Sequence, residues 1–138
     1  MRKGMSLAIV ALALSFGISL AAAEKPSPEF QTAMKNAGGA IQSAGKAAAA
    51  KDYAQVEKDA ATLTSSFQVV GKYFMDKKND AALVHCKTAY EAVGQLAAAA
   101  KAKDDAAIGD ATKKLGGACG ACHTAHREKA ADGSFEIK

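Results

Sequence analysis

The sequence predicts an all-α fold, an antiparallel up-down-up-down four-helix bundle. Three observations carry that prediction. Apolar residues recur at steps of three and four in four successive stretches, the spacing of one helix face. Short polar segments separate the stretches at Lys51-Asp52, Asp76 to Asp80 and Lys103-Asp104-Asp105, and turns this short make neighbouring helices antiparallel. No strand pattern competes with the helical reading.

The chain has 138 residues, enough for one domain. Residues 1–23 read as a secretory signal peptide. Arg2 and Lys3 are basic, Leu7 to Leu20 is apolar, and Ala21-Ala22-Ala23 is a small-residue cleavage site. Glu24 is then the first residue of a domain spanning 24–138. An uncleaved anchor is the competing reading, and the apolar run is shorter than a bilayer span needs. A periplasmic location follows, with no stable membrane insertion after cleavage.

Ser27 is a good N-cap and Pro28 suits the first helical position. From there Phe30, Ala33, Met34, Ala37, Ile41, Ala44 and Ala48 mark a first helix over Pro28 to Ala50. Gly38, Gly39 and Gly45 weaken it and leave room for a close neighbour. Asp52 caps the second helix, whose seam is Val56, Ala60, Leu63, Phe67, Val70 and Phe74. Steps of four and three in turn are bundle-seam spacing, and this helix ends near Asp76. The third helix runs to about Lys101 on Ala82, Cys86, Ala89, Val93, Leu96 and Ala100. Asp104 or Asp105 caps the fourth, whose face is Ile108, Ala111, Leu115, Ala118 and Cys122. Asp132-Gly133 is its expected end.

Near the end of the fourth helix stands Cys119-Gly120-Ala121-Cys122-His123. Two thiols three residues apart, followed at once by His, form the attachment signature of a c-type haem. Each thiol can join a vinyl group as a thioether, and His123 can then ligate the iron. The expected cofactor is one covalent haem c. Zinc is a competing reading, but a structural site needs four ligands, and only His126, His85 and Cys86 could add to the cluster. A Cys119–Cys122 disulfide is another, which leaves His123 unexplained. Gly116 and Gly117 sit just before the motif, where a macrocycle would crowd the backbone.

Charge excludes some functions. Arg2 and Lys3 account for two of the formal +4 charges, so the domain without them carries +2, which two haem propionates would cancel. Positive and negative residues are interspersed, and no basic patch calls for nucleic acid. The chain has no Trp and much Ala, and a haem would fill the space that Ala leaves.

The segment from Leu115 to Lys129, with Cys119, Cys122, His123 and Arg127, resembles the C-terminal haem helix of the cytochrome c′ family. Phe30 to Lys35 resembles that family's first helix. His126 stands where the family usually has an aromatic residue, Phe30 lies near where an Arg is often found, and the turn after helix two is short. The resemblance implies a four-helix bundle with the haem near the C-terminal end of helix four. It also implies that the residue facing the iron from helix one decides the chemistry. An apolar residue there leaves five-coordinate iron that binds nitric oxide or carbon monoxide. A Met gives six-coordinate, low-spin iron suited to electron transfer, and Met34 takes that position.

Helix geometry bears on Met34. It lies about 9 Å from the start of helix one, and His123 about 12 Å from the end of a helix four that reaches Asp132, at 1.5 Å per residue. Helices one and four run side by side in this topology, so the two residues come roughly level. His85 is turned about 100° from the seam residue Cys86, on a helix diagonal to helix one. Met75 faces sideways near a turn, and His126 shares a helix with His123. An open site or His85 remain the alternatives, and simple core packing is the bland role for Met34. Cys86 reads as a buried small hydrophobe, with a disulfide-linked homodimer as the sharper alternative. Arg127 can pair with a propionate or cap carbonyls.

The leading expectation is a periplasmic electron carrier that serves redox partner proteins, with Cys119, Cys122 and His123 holding the haem and Met34 as distal ligand. A gas-binding haem protein is the alternative. Enzymatic chemistry ranks below both, because only His85 offers a distal acid or base.

Overall fold

The computed structural model describes residues 22–138. The predicted signal peptide therefore lies, but for its last two residues, outside the described residues. Four helices follow in order: α1 (Pro28–Ala49), α2 (Tyr53–Asp76), α3 (Asp80–Ala102) and α4 (Asp105–His126). Two short strands, β1 (Arg127–Lys129) and β2 (Phe135–Ile137), complete the chain. Among the described residues no helix is long and apolar enough to cross a membrane.

Local chemistry explains each boundary. Ser27 accepts a bond from the Phe30 amide at 3.2 Å, and Pro28 opens α1. Asp52, Asn79 and Asp104 cap the next three helices through the amides of Gln55, Ala82 and Ala107, at 3.1, 3.0 and 3.0 Å. These bonds satisfy amides that a helix start leaves unpaired. Each of the three interhelical turns places a Lys in the left-handed region, with φ of 57° at Lys51, 54° at Lys78 and 56° at Lys103.

The fourth helix is shorter than the sequence predicts. It stops at His126, and the chain then forms an antiparallel hairpin in which Arg127 faces Ile137 and Lys129 faces Phe135. Asp132-Gly133 is the bend of that hairpin rather than a helix end. Gly133 has φ of 84°, its amide donates to the Ala130 carbonyl at 2.9 Å, and Asp132 Oδ1 accepts from the Ser134 amide at 2.8 Å. The turn residues are the same in both folds, so the last turn of a helix and a hairpin bend compete for them. The hairpin wins here because β2 finds a partner: Glu24 and Ile137 exchange two backbone bonds, both 2.9 Å.

The seams read from the sequence on α2 and α3 are all buried, from Val56 to Phe74 and from Ala82 to Ala100. On α4 Ile108, Ala111, Leu115 and Ala118 are buried and Cys122 is half-buried. The first helix differs. Its buried row is Phe30, Ala33, Ala37, Ala40, Ala44 and Ala47, whereas Met34, Ile41 and Ala48 stay half-buried. The packing explains the split. α1 lies on α2, α2 on α3 and α3 on α4, but α1 and α4 barely touch. The row of α1 that faces α4 therefore has no helix against it.

Candidate functional site

The gap between α1 and α4 is a cavity of about 550 Å³, within the roughly 300–1,000 Å³ typical of small-molecule and cofactor sites. Met34, Gly38 and Ile41 line it from α1, and Phe67, Val70 and Phe74 from α2. His85, Cys86 and Ala89 come from α3; Ala118, Cys119, Cys122, His123 and His126 from α4. The C-terminal hairpin closes one side with Arg127, Ser134, Phe135 and Ile137.

All five residues singled out from the sequence thus meet at one cavity: Cys119, Cys122, His123, Met34 and Arg127. Spacing on α4 explains the first three. Cys119 and Cys122 are one turn apart and His123 is one turn on from Cys119, so they share a stripe of the helix. Both motif thiols are free and half-buried. Burial holds them above the ordinary thiol range, and Cys119 raises Cys122 further while Arg127 lowers it. Burial, then Arg127, holds the His123 imidazole below its ordinary value, which favours the neutral form that ligates a metal. Because α4 ends at His126, His123 lies about 4.5 Å from the helix end rather than 12 Å. That loosens the predicted level match with Met34, although both still face the cavity.

Arg127 is the first residue after the helix. Its guanidinium lies 4.2 Å from the centre of the Phe135 ring and borders the cavity. A cation stacked on a ring keeps its N–H donors at the edges, free to meet an acid group at the mouth. His126 takes the packing role of an aromatic, 6.3 Å from Phe74 and 5.7 Å from His85 between ring centres. His85 lines the cavity, so it stands nearer the site than its angle from the seam implied. Gly116 and Gly117 face solvent and do not border the cavity, which corrects the expectation of crowding there. Gly38 does border it, and a Cβ there would meet nothing within 4 Å. Met75 is 58 % exposed and lies outside the site.

The hairpin wall is the part that sequence reasoning missed. A signal for it exists: Asp-Gly flanked by Arg-Glu-Lys and Phe-Glu-Ile is a hairpin pattern.

A haem fits these residues. The space is large and mostly apolar in its lining, two reduced thiols stand in attachment spacing beside an imidazole, and Gly38 leaves room for a flat ring. A bare zinc site does not fit, because among the described residues no three His, Cys, Asp or Glu side chains gather to hold an ion. A four-helix bundle with a CxxCH motif on the wall of such a cavity defines a c-type haem protein. The family model described as Cytochrome C' matches residues 77–127, covering α3 and the motif helix. With the observed fold, that match supports a likeness to the cytochrome c′ family over α3 and α4, a family whose members carry a covalently bound haem c. No curated protein matches the chain.

Proposed function

We propose that the chain is an exported electron carrier with one six-coordinate haem. Cys119 and Cys122 would hold the macrocycle, and His123 and Met34 would ligate its iron. The observation that supports this most is the shared cavity: Met34 on α1 and His123 on α4 line the same space. Met34 also packs against both clusters of the core, which restricts a side chain that is otherwise flexible.

The haem would supply a one-electron iron couple, whose potential a thioether ligand raises. The chain's residues do the rest. Phe30, Phe67, Val70 and Phe74 exclude water from the cavity interior. Arg127 meets negative charge at its mouth. On the side of the cavity away from the motif only His85 offers an acid or base, which favours a carrier over an enzyme. Electrons would pass to and from redox partner proteins.

Visible spectra of the oxidised and reduced protein, before and after carbon monoxide, test this reading. Sharp low-spin bands that ignore the gas are expected. Met34→Ala should turn them into a broad high-spin spectrum that shifts with the gas, and His85→Ala should leave them as they were. A wild-type protein that is high-spin and binds carbon monoxide would instead be a gas-binding haem protein.

A further inference from the structure

The cavity contains a third thiol that haem attachment does not use. Cys86 is buried on α3 and borders the same space as Cys119 and Cys122. Two contacts give the register of α3 against α4. Lys114 Nζ reaches Gln95 Oε1 at 3.5 Å, and at the other end His85 and His126 lie 5.7 Å apart. Moving along α3 from Gln95 toward His85 therefore matches moving along α4 from Lys114 toward His126.

Cys86 lies nine positions from Gln95, and Cys122 eight positions from Lys114. The first contact puts the two level to within about one residue and the second to within about three, roughly 1.5–4.5 Å along the axis. On the same two contacts Cys119 falls about four to six residues away from the level of Cys86, roughly 6–9 Å. The neighbours are small: Ala82 and Ala89 on α3, Ala118 and Ala121 on α4. Small residues let two helices approach closely, and a disulfide needs Cα atoms roughly 4.4–6.8 Å apart.

We propose that in the haem-free chain Cys86 and Cys122 join as a disulfide between α3 and α4, which blocks haem attachment at Cys122 until it is reduced. The oxidant is a small disulfide of the glutathione class. One cysteine sulfur attacks it and releases one thiol; the second cysteine displaces the other. Two S–H bonds become one S–S bond, and the oxidant takes up the two electrons and two protons as two thiols. A thioether forms by adding S–H across a double bond, and a sulfur held in a disulfide has no S–H to add. The blocking role rests on the haem function proposed above; the disulfide itself does not.

The test uses the full chain produced without haem, fully reduced and then incubated with oxidised glutathione. Remaining thiols are alkylated and the chain is cut with trypsin. The expected product is Asn79–Lys87 joined to Leu115–Arg127, with Cys119 as the alkylated thiol. A bridge inside Leu115–Arg127, glutathione retained on Cys86, or alkylation of all three cysteines would overturn the proposal. A second arm isolates the block by starting from Cys119→Ser, which removes the bridge inside the motif. After oxidation, adding Cys86→Ser should raise covalent haem at Cys122 several-fold, read as the absorbance of the reduced pyridine complex. Equal loading of the two variants would remove the blocking role. Failure of the reduced wild-type chain to take up haem at all would sink the haem function and leave the peptide result standing.

Discussion

Asp59 is a residue whose surroundings work against it. It is 6 % exposed on α2. Its Oδ1 accepts from Gln55 Nε2 at 3.0 Å, while Oδ2 is buried with no partner. Asp59, Ser66 and Tyr73 repeat every seven residues, and Tyr73 touches the Phe30 ring at 4.5 Å, so this stripe meets α1. An unpaired buried polar atom costs about 1–3 kcal/mol, and Ala is the best helix former. Asp59→Ala should therefore raise stability by about 1 kcal/mol, measured as a higher urea midpoint. Nothing in the sequence marks Asp59 as buried, because the seven-residue stripe it shares is polar. Met34 was legible in a different way. Its spacing placed it on the inner side of α1, but spacing alone could not tell a packed residue from one left facing a cavity.

At the scale of elements, the three turn lysines occupy a backbone region that costs L residues about 1–2 kcal/mol. Part of that gain is offset because Gly loses more freedom on folding. Lys78→Gly and Lys103→Gly should each stabilise the fold by about 0.5–1 kcal/mol, seen as a rise of a few degrees in Tm. Lys51 is a poorer choice, since its ammonium pairs with Asp105 at 3.2 Å. Gly133→Ala should act in the opposite direction and loosen the hairpin.

The hairpin is held at Glu24. Lys77 Nζ and the Tyr73 hydroxyl both donate to its carboxylate, at 2.8 and 2.7 Å from Oε1. These bonds, Lys77 first, hold the Glu24 carboxyl below its ordinary value. Its contribution is present above the unfolded carboxylate value and is lost as pH falls through the lowered one. Burial, then Glu24, pushes Tyr73 up from 10.0 to about 12. That contribution is present below about pH 10 and is lost as pH rises toward 12. Protection of the Ile137 amide, its exchange rate relative to the unfolded chain at the same pH, should accordingly be greatest between those limits, and Glu24→Gln should flatten the acid side. The sequence announced the turn but not its use. Helix capping and hairpin bending employ the same Asp-Gly pair, and the pairing of Ile137 with Glu24 joins residues too far apart for local patterns to register.

For the whole molecule the decisive feature is the open seam. α2 and α3 each pack between two helices, whereas α1 and α4 each have one neighbour and face each other across the cavity. In the haem-free chain, amides of α1 and α4 should exchange faster than those of α2 and α3. Haem attachment should slow α1 and α4 specifically, because it fills the space between Met34, Gly38 and Ile41 on one side and the motif on the other.

By itself the sequence determined the four helices, their caps, the seams of α2 and α3 and the haem-attachment motif. Each of these is written within a few turns of chain, as a period, a cap residue or a short spacing. Only the tertiary structure decided that α4 stops at His126, that a hairpin walls the site, and that Cys86 borders the same cavity as Cys122. Those facts depend on which distant surfaces meet, and on one pair of helices that does not close.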